Sequence, residues 1–250
     1  GVPDGSAQIA RSFDAGAQAQ CVTLSFFRYE GLARRAWVFG RMGLDRAPLA
    51  RTPGIGFAKL MGTGTGMGFR PKPEWGVWTI LATWPDAEAA REAVASAPDK
   101  SRPRARAVEC CTRFMAPLSS RGEWAGVAPF EVRETPRRAA EPLAVLPRAS
   151  IKPSRALKFW AEVPDVEDDL ALCRSLLFQK GMGEIPWLHQ VTFSVWSDEA
   201  EMTRFAHAAG AHSAAVKAAY DGGWFTESLF ARFAVTGATG LWNGRPPLSR

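Results

Sequence analysis

The chain has 250 residues, enough for one large domain or two small ones, and its apolar fraction of 46% and charged fraction of 22% are ordinary for a globular protein. Its formal charge is +6, but the arginine-rich runs lack the interleaved aromatic residues of a nucleic-acid platform, which argues against nucleic-acid binding. No uncharged apolar run approaches ~18 residues, which excludes a membrane span, and no signal segment opens the chain, so we expect a cytoplasmic location.

The tryptophan and cysteine contents indicate which kinds of binding site the chain can form. Ten tryptophans against two tyrosines favour either a roomy, flat-walled apolar cavity or the use of tryptophan as a large core residue. The four cysteines show no CxxC spacing, and adjacent Cys110 and Cys111 would lie on opposite faces of a strand. The sequence therefore predicts buried free thiols rather than a zinc site or a disulfide framework.

The first half of the chain predicts the element order β-α-β-β-α-β. Apolar, β-branched and aromatic residues predict strands over 21–29, 56–62, 76–84 and 107–118. Helical spacing predicts helices over 31–44 and 87–97, and Asp86 is the expected N-cap of the second helix. The glycine-rich stretch 62–68 is followed by prolines and a strand, so it predicts a hairpin loop over a cavity mouth rather than a phosphate-binding loop.

The second half repeats this order with matching residues at similar spacing. Trp84 and Asp86 match Trp196 and Asp198, and the segment from Arg113 to Gly126 matches the segment from Arg232 to Gly244. Leu143–Ile151 is the expected first strand, Pro153 opens the helix, and Leu229–Val235 is the expected last strand.

The predicted fold class is α+β, with two tandem ferredoxin-like βαββαβ halves in a dimeric-α/β-barrel-type architecture. The predicted domain organisation is a flexible N-terminus (1–20), a first half (21–128), a linker (129–142) and a second half that carries the cofactor site (143–250). A large flat ligand can wedge against the apolar side of such a sheet. Whether the halves pair within one chain or across two stays open.

All three histidines lie between Gly183 and Phe225. Strand alternation places His189 with Val191, Phe193 and Val195, on the face that we expect to pack against the helices. His212 follows Gly210 at the start of a predicted helical turn, and His207 is expected on the solvated surface. A neutral imidazole is a ligand for heme iron, although His189 is equally consistent with a core-edge histidine, and a non-heme iron site of His189, His212 and Glu184 stays open.

The chain resembles the spheroidene monooxygenase family over nearly its whole length. The resemblance rests on segments that are specific to the family only in combination: VTLSFFRYEGLARRAWVFGRMGL, PGIGFAKLMGTGTGMGF, ILATWPD, APLSSRGEWAGVAPF, FQKGMGEIPWLHQVTFSVW and GGWFTESLFARF.

The resemblance implies a heme b oxygenase of acyclic carotenoid biosynthesis that takes electrons from an acidic ferredoxin, activates dioxygen and hydroxylates an allylic carbon. The arginine-rich runs would suit such a donor, and a tryptophan-lined slot would suit a polyene. A related chain need not act on carotenoids, so another small apolar metabolite, oxidised at carbon or nitrogen, stays open. A heme carrier or sensor without turnover and a cofactor-independent or heme-degrading oxygenase are the alternative functions.

The resulting site hypothesis names His212 as the iron ligand and His189 and Trp187 as catalytic residues. His212, His189, Phe193 and Arg232 are the expected contacts to the heme. Expected partners are a small apolar substrate, dioxygen and a ferredoxin-type donor, and both peripheral contact with a membrane and homo-oligomer formation stay open.

Overall fold

The structure is a computed structural model that describes residues 19–64, 72–96, 103–134, 137–162, 172–208 and 217–248. Within these ranges eight antiparallel strands form a closed barrel. The strands are β1 Cys21–Arg28, β2 Ala58–Gly64, β3 Pro73–Trp84, β4 Glu109–Gly122, β5 Leu143–Ile151, β6 Leu176–Gly183, β7 His189–Trp196 and β8 Phe225–Gly240.

Helices cover the outside of the barrel. They are α1 Leu32–Leu44, α2 Arg46–Ala50, α3 Ala87–Ala95, α4 Ala156–Glu162, α5 Glu199–Ala208 and the helical residues 217–221. Asp86 caps α3 as predicted, because its Oδ1 accepts the Ala89 N–H at 2.8 Å. Asp198 accepts the Ala200 N–H at 2.8 Å at the start of α5, so the Trp-x-Asp pattern marks a strand end followed by a helix cap in both halves. Every helix in the described ranges is too short or too polar to span a membrane.

The strands close in the order β1-β3-β2-β6-β7-β5-β8-β4, so strands from both halves complete the barrel within one chain. β4 and β8 pair from Cys111↔Gly240 to Gly122↔Leu229, which is a long junction. β2 and β6 pair only at Gly62↔Gly183 and Thr63↔Met182, and we call this short junction the seam. The predicted barrel-type architecture is confirmed, whereas its division into two ferredoxin-like halves and the proposed domain boundaries stay an interpretation.

The barrel interior is a packed apolar core. Side chains alternate along each strand, so Val22, Leu24 and Phe26 of β1 point inward together with residues from the other strands. Phe193 lies in this core, fully buried between Phe26 and Phe178 at centroid distances of 6.5 and 6.1 Å.

The predicted orientation of β7 is wrong. Val191, Phe193 and Val195 face the barrel interior, whereas Trp196, on the opposite face, packs against Met202 and Phe205 of α5. A strand whose two faces are both buried carries little sequence information about which face meets the helices.

The prediction that Arg113 and Arg232 are equivalent positions is also wrong, because their side chains lie on different faces of the sheet. Arg113 lies next to Cys111 and Phe178 on the core side, whereas Arg232 points outward and pairs with Glu199 of α5 at 2.6 Å. One residue more separates Arg113 from Trp124 than separates Arg232 from Trp242, and one residue reverses the face because side chains alternate along a strand. All four cysteines are free, with Cys110 and Cys111 in different clusters on opposite faces, as predicted.

Similar turns close the two ends of the barrel. β4 ends at Gly122 and β8 at Gly240, both with positive φ, and a Cβ at either position would lie 2.1 Å from a carbonyl oxygen of the neighbouring strand. Isolated bridges follow, Trp124↔Val127 at one end and Trp242↔Arg245 at the other. We call these the Trp124 end and the Trp242 end.

Candidate functional site

A cavity of about 630 Å³ lies over the seam, between α1 and α4. Its walls carry four tryptophans and a phenylalanine, together with methionine side chains, and we call it the aromatic cavity. The large apolar residues that line it are Phe39, Met42, Trp75, Trp78, Trp160, Met182 and Trp187. Its size is within the usual range for small-molecule sites, which are mostly apolar with a few polar groups.

The aromatic side chains stand in two groups on either side of the seam. Phe39 of α1 packs edge-on against Trp75 and Trp78 of β3, with centroids 5.4 and 6.3 Å apart. On the other side, Trp160 of α4 packs edge-on against Trp187 at 6.4 Å and donates its Nε1–H to the Trp187 carbonyl at 2.8 Å. Phe39, Trp75 and Trp187 are about half exposed, and an exposed aromatic cluster of this kind marks a binding surface for an apolar ligand.

His189 brings an imidazole into this cavity. It is the first residue of β7, and its Nδ1 is buried without a hydrogen-bond partner among the described residues. Burial lowers the pKa of His189 below its ordinary value, and the nearby charge of Glu184 opposes this only in part. The imidazole is therefore neutral at neutral pH, with a lone pair available to a metal or a hydrogen-bond donor.

Glu184 lies beside His189 in a charged network. Its Oε1 accepts the Trp124 Nε1–H at 2.8 Å, and its Oε2 accepts from Lys59 Nζ at 3.1 Å. Burial alone would raise the pKa of Glu184, but the hydrogen bond from Trp124 and the charge of Lys59 outweigh it and hold the pKa below its ordinary value. Oε1 is 3.9 Å from His189 Nδ1, which is close enough for electrostatic influence and too long for a hydrogen bond.

A smaller groove of about 260 Å³ lies on the helix side of β5 and β7, and we call it the helix-side groove. Its aromatic walls are Phe159, Trp196, Phe205, Tyr220, Phe225 and Phe230. Gln190 lines both this groove and the aromatic cavity, so the two are neighbours. Ala206 and Tyr220, which line the groove, flank His212 in the sequence, but His212 itself lies outside the described residues.

The structure brings together only some of the residues predicted from the sequence. Trp187 and His189 both line the aromatic cavity. Phe193 is in the barrel core, and Arg232 is on the outer surface with Glu199, so neither lines this cavity. His207 is exposed on α5, as expected.

Several cavity residues were not identified from the sequence. Trp75, Trp78 and Trp160 come from β3 and α4, far apart in the chain, and only the high tryptophan content pointed to such a wall. Lys59 and Trp124 reach Glu184 from 125 and 60 residues away, so no local pattern signals the network.

Residues 65–68 of the glycine-rich stretch lie outside the described residues. The described residues on either side of this gap line the aromatic cavity: Gly62, Thr63, Gly64, Lys72, Pro73 and Glu74. Within the described ranges no group of three or more His, Cys, Asp and Glu side chains is arranged to hold a metal ion. The alternative non-heme site includes His212 and therefore stays a prediction.

Three proteins with similar sequences are all named spheroidene monooxygenase. No family model matches the chain. The chain is 44% identical over 228 residues to spheroidene monooxygenase of Rhodobacter capsulatus, covering 91% of this chain and 95% of that protein. It is 42% identical over 230 residues to spheroidene monooxygenase of Cereibacter sphaeroides, covering 92% and 71%, and 36% identical over 214 residues to that of Rubrivivax gelatinosus, covering 85% and 81%.

Solved structures with a similar fold are more distant. An aldoxime dehydratase superposes with a TM-score of 0.58 at 13% identity, covering 93% of this chain and 89% of that chain. A second aldoxime dehydratase, crystallised with butyraldoxime, superposes with a TM-score of 0.54 at 10% identity, covering 88% and 82%. At these identities the likeness concerns the fold alone.

Proposed function

The chain belongs to the spheroidene monooxygenase family, and from this premise we propose that it is a heme-dependent monooxygenase acting on an apolar polyene or another small apolar metabolite. The family supports the monooxygenase activity. The observation that carries the rest is the aromatic cavity, which four tryptophans line together with the imidazole of His189. Because the relatives are named for spheroidene, a carotenoid polyene is the first substrate to test.

The described residues fit an iron porphyrin in two respects. Flat apolar walls can pack against a porphyrin plane or a polyene, and the buried Nδ1 of His189 has no protein partner in the described ranges. Heme b, when bound, supplies the iron that activates dioxygen. The chain's own residues hold the substrate between the two aromatic groups and exclude water from it.

An imidazole is the proposed iron ligand. His212 is the first candidate from the sequence, and His189 is the candidate among the described residues. If His212 binds the iron, the proposed role of His189 is to contact the substrate or the heme from the aromatic cavity, which His189 lines. The helix-side groove is a neighbour of that cavity, because Gln190 lines both.

The proposed electron donor is an acidic, ferredoxin-type protein. Arg104, Arg106 and Arg133 are exposed, and exposed positive charges accelerate association with an acidic partner. This part of the proposal predicts that reduction of the enzyme slows as ionic strength rises.

The test is the electronic spectrum of the protein reconstituted with heme, recorded before and after dithionite and carbon monoxide. We expect a Soret band that shifts on reduction, and oxidation of the polyene when reductant and dioxygen are supplied. His212→Ala should lose heme, His189→Ala should keep heme and lose turnover, and the exposed His207→Ala is the matched control.

Each other outcome contradicts a defined part of the proposal. Heme loss in His189→Ala alone would exchange the roles of the two histidines. Stable heme without substrate oxidation would indicate a carrier or sensor, and consumption of the heme would indicate a heme-degrading oxygenase. A protein that remains colourless after heme supplementation would overturn heme dependence.

A further inference from the structure

Another large cavity, of about 730 Å³, opens at the Trp242 end between β6 and the turn that follows β8. Its lining includes five cationic side chains and no carboxylate, and we call it the basic cavity. The cations are Arg28, Arg113, Arg174, Lys180 and Arg245. It is separate from the aromatic cavity, with which it shares no lining residue.

Arg113 lines this cavity and is 1% exposed. Its guanidinium lies 3.9 Å from the centre of the Phe178 ring. One Nη donates to the Pro247 carbonyl at 3.0 Å and the other to Cys111 Sγ at 3.7 Å, and neither partner is an anionic oxygen. Its Nε is buried without a partner, and no described carboxylate lies within ion-pair distance. A buried charge without a counterion is costly, so this position favours an anion that the described residues do not supply.

The other cations of the basic cavity are only partly neutralised. Arg28 pairs with Glu109 at 3.3 Å, and Lys180 pairs with Glu74. Arg174 and Arg245 are exposed and have no ion pair among the described residues. Three guanidinium groups, including Arg113, therefore face one cavity without described counterions.

We propose that the basic cavity binds a small molecule that carries a phosphate group. Guanidinium groups match the oxygens of phosphate in paired hydrogen bonds, and phosphate brings more than one negative charge at neutral pH. Three cations without described counterions match the multiple negative charge of a phosphate better than they match the single charge of a carboxylate. Leu176, Leu177 and Trp242 also line the cavity and provide apolar surface for the organic part of the ligand.

This site does not depend on the proposed oxygenase activity, because it lies at a different place on the barrel. Burial lowers the pKa of Arg113 from its ordinary value, which agrees with a guanidinium held in a poorly solvated position. An anion in the cavity would relieve that cost, so occupancy of the cavity should also stabilise the folded chain.

The test is calorimetric titration of the full chain with pyrophosphate and inorganic phosphate at constant ionic strength, with succinate as the carboxylate comparison. We expect saturable binding of pyrophosphate at one site and weaker binding of succinate. Arg113→Met should weaken pyrophosphate binding by about tenfold or more, because charge-assisted hydrogen bonds are lost.

Arg155→Met is the matched control, since Arg155 is exposed on the turn after β5 and its replacement changes the net charge equally. Its affinity for pyrophosphate should stay within about twofold of the unmodified chain, because a distant charge acts only through screened attraction. If Arg113→Met does not fold, the double replacement of the exposed Arg174 and Arg245 by Ala tests the same cavity and should weaken binding to a similar degree.

Equal weakening by Arg113→Met and Arg155→Met would show a general effect of charge and overturn the site. Succinate binding as tight as pyrophosphate binding would overturn the assignment to phosphate. Absence of saturable binding for all three anions would overturn the proposal as a whole.

Discussion

The two ends of the barrel are built from the same parts and closed to different degrees. At each end an arginine lies over the tryptophan of the turn, Arg148 over Trp124 at 5.0 Å and Arg28 over Trp242 at 4.3 Å. A glutamate accepts the N–H of the glycine of each turn at 2.8 Å, Glu227 from Gly126 and Glu109 from Gly244. The Trp124 end is filled, whereas the Trp242 end opens into the basic cavity.

The neighbouring strands decide this difference. At the Trp124 end, Phe57 packs edge-on against the indole at 5.6 Å, and Glu184 accepts the indole Nε1–H. The ring is therefore fully buried and its one donor has a hydrogen-bond partner. At the Trp242 end, Arg113 lies nearby without a carboxylate, and Trp242 is only partly buried. One closing turn can therefore complete a core or leave room for a ligand.

The largest expected effect concerns the tryptophans themselves. Trp124→Ala should lower the free energy of unfolding by ~3–5 kcal/mol, because it removes a fully buried aromatic ring and the hydrogen bond that Glu184 Oε1 accepts from it. Trp242→Ala should cost only ~1–2 kcal/mol, since its ring is already partly solvated. Urea unfolding of both variants measures the difference, and equal losses would contradict the distinction between a filled and an open end.

The next effect concerns the two glutamates that hold the turns. Glu227→Gln leaves Arg148, whose side chain is 3% exposed, without its anionic partner at 2.5 Å, and should cost ~3 kcal/mol. Glu109→Gln is the matched change at the other end. There Arg28 is 29% exposed, so we expect ~1 kcal/mol or less. A larger loss for Glu109→Gln in urea unfolding would reverse the comparison.

The acid stability of the Trp124 end should depend on Glu184. Its pKa in the folded chain is below the ordinary 4.5, so the carboxylate contributes stability that is present above 4.5 and lost as the pH falls through the lower folded value. Glu184→Gln removes this contribution. The variant's unfolding free energy should therefore change less between neutral and strongly acidic pH than that of the unmodified chain, and parallel curves would contradict the prediction.

The smallest effect concerns the pKa of His189, measured by NMR titration of the heme-free chain. Glu184→Gln should lower that pKa further, because it removes the anion that favours the imidazolium. Lys59→Met should raise it, because it removes a repelling cation. The resonance of His207, which is exposed on α5, is the internal reference. Shifts in the same direction for both variants would show that the network does not control the imidazole electrostatically.

Local patterns predicted the secondary structure well. β5 spans Leu143–Ile151 as expected, and Asp86 caps its helix. The strand predicted to contain His189, Val191, Phe193 and Val195 is β7. β8 was predicted as Leu229–Val235 but runs over Phe225–Gly240, because long pairing with β4 and β5 extends it beyond its most apolar segment. Such pairing depends on partners that are distant in the sequence.

The candidate site was predicted less completely than the fold. Trp187 and His189 lie close together in the sequence and share the cavity, so a local search could find both. The sequence could not show which side chains of β7, or whether Arg113 of β4, would face the barrel interior. Both faces of these strands are buried, and one extra residue moves a side chain from one face to the other. The Lys59–Glu184 pair and the charge imbalance at Arg113 arise only when the barrel closes.

The seam has a consequence for motion. Only two residue pairs join β2 to β6 in the described residues, whereas every other junction of the barrel is longer. Transient separation should therefore begin there, and the amide protons of Thr63 and Gly183 should exchange with solvent sooner than those in the middle of β4 and β8. Since the aromatic cavity lies over this junction, separation of β2 from β6 would widen that cavity even with the helices in place.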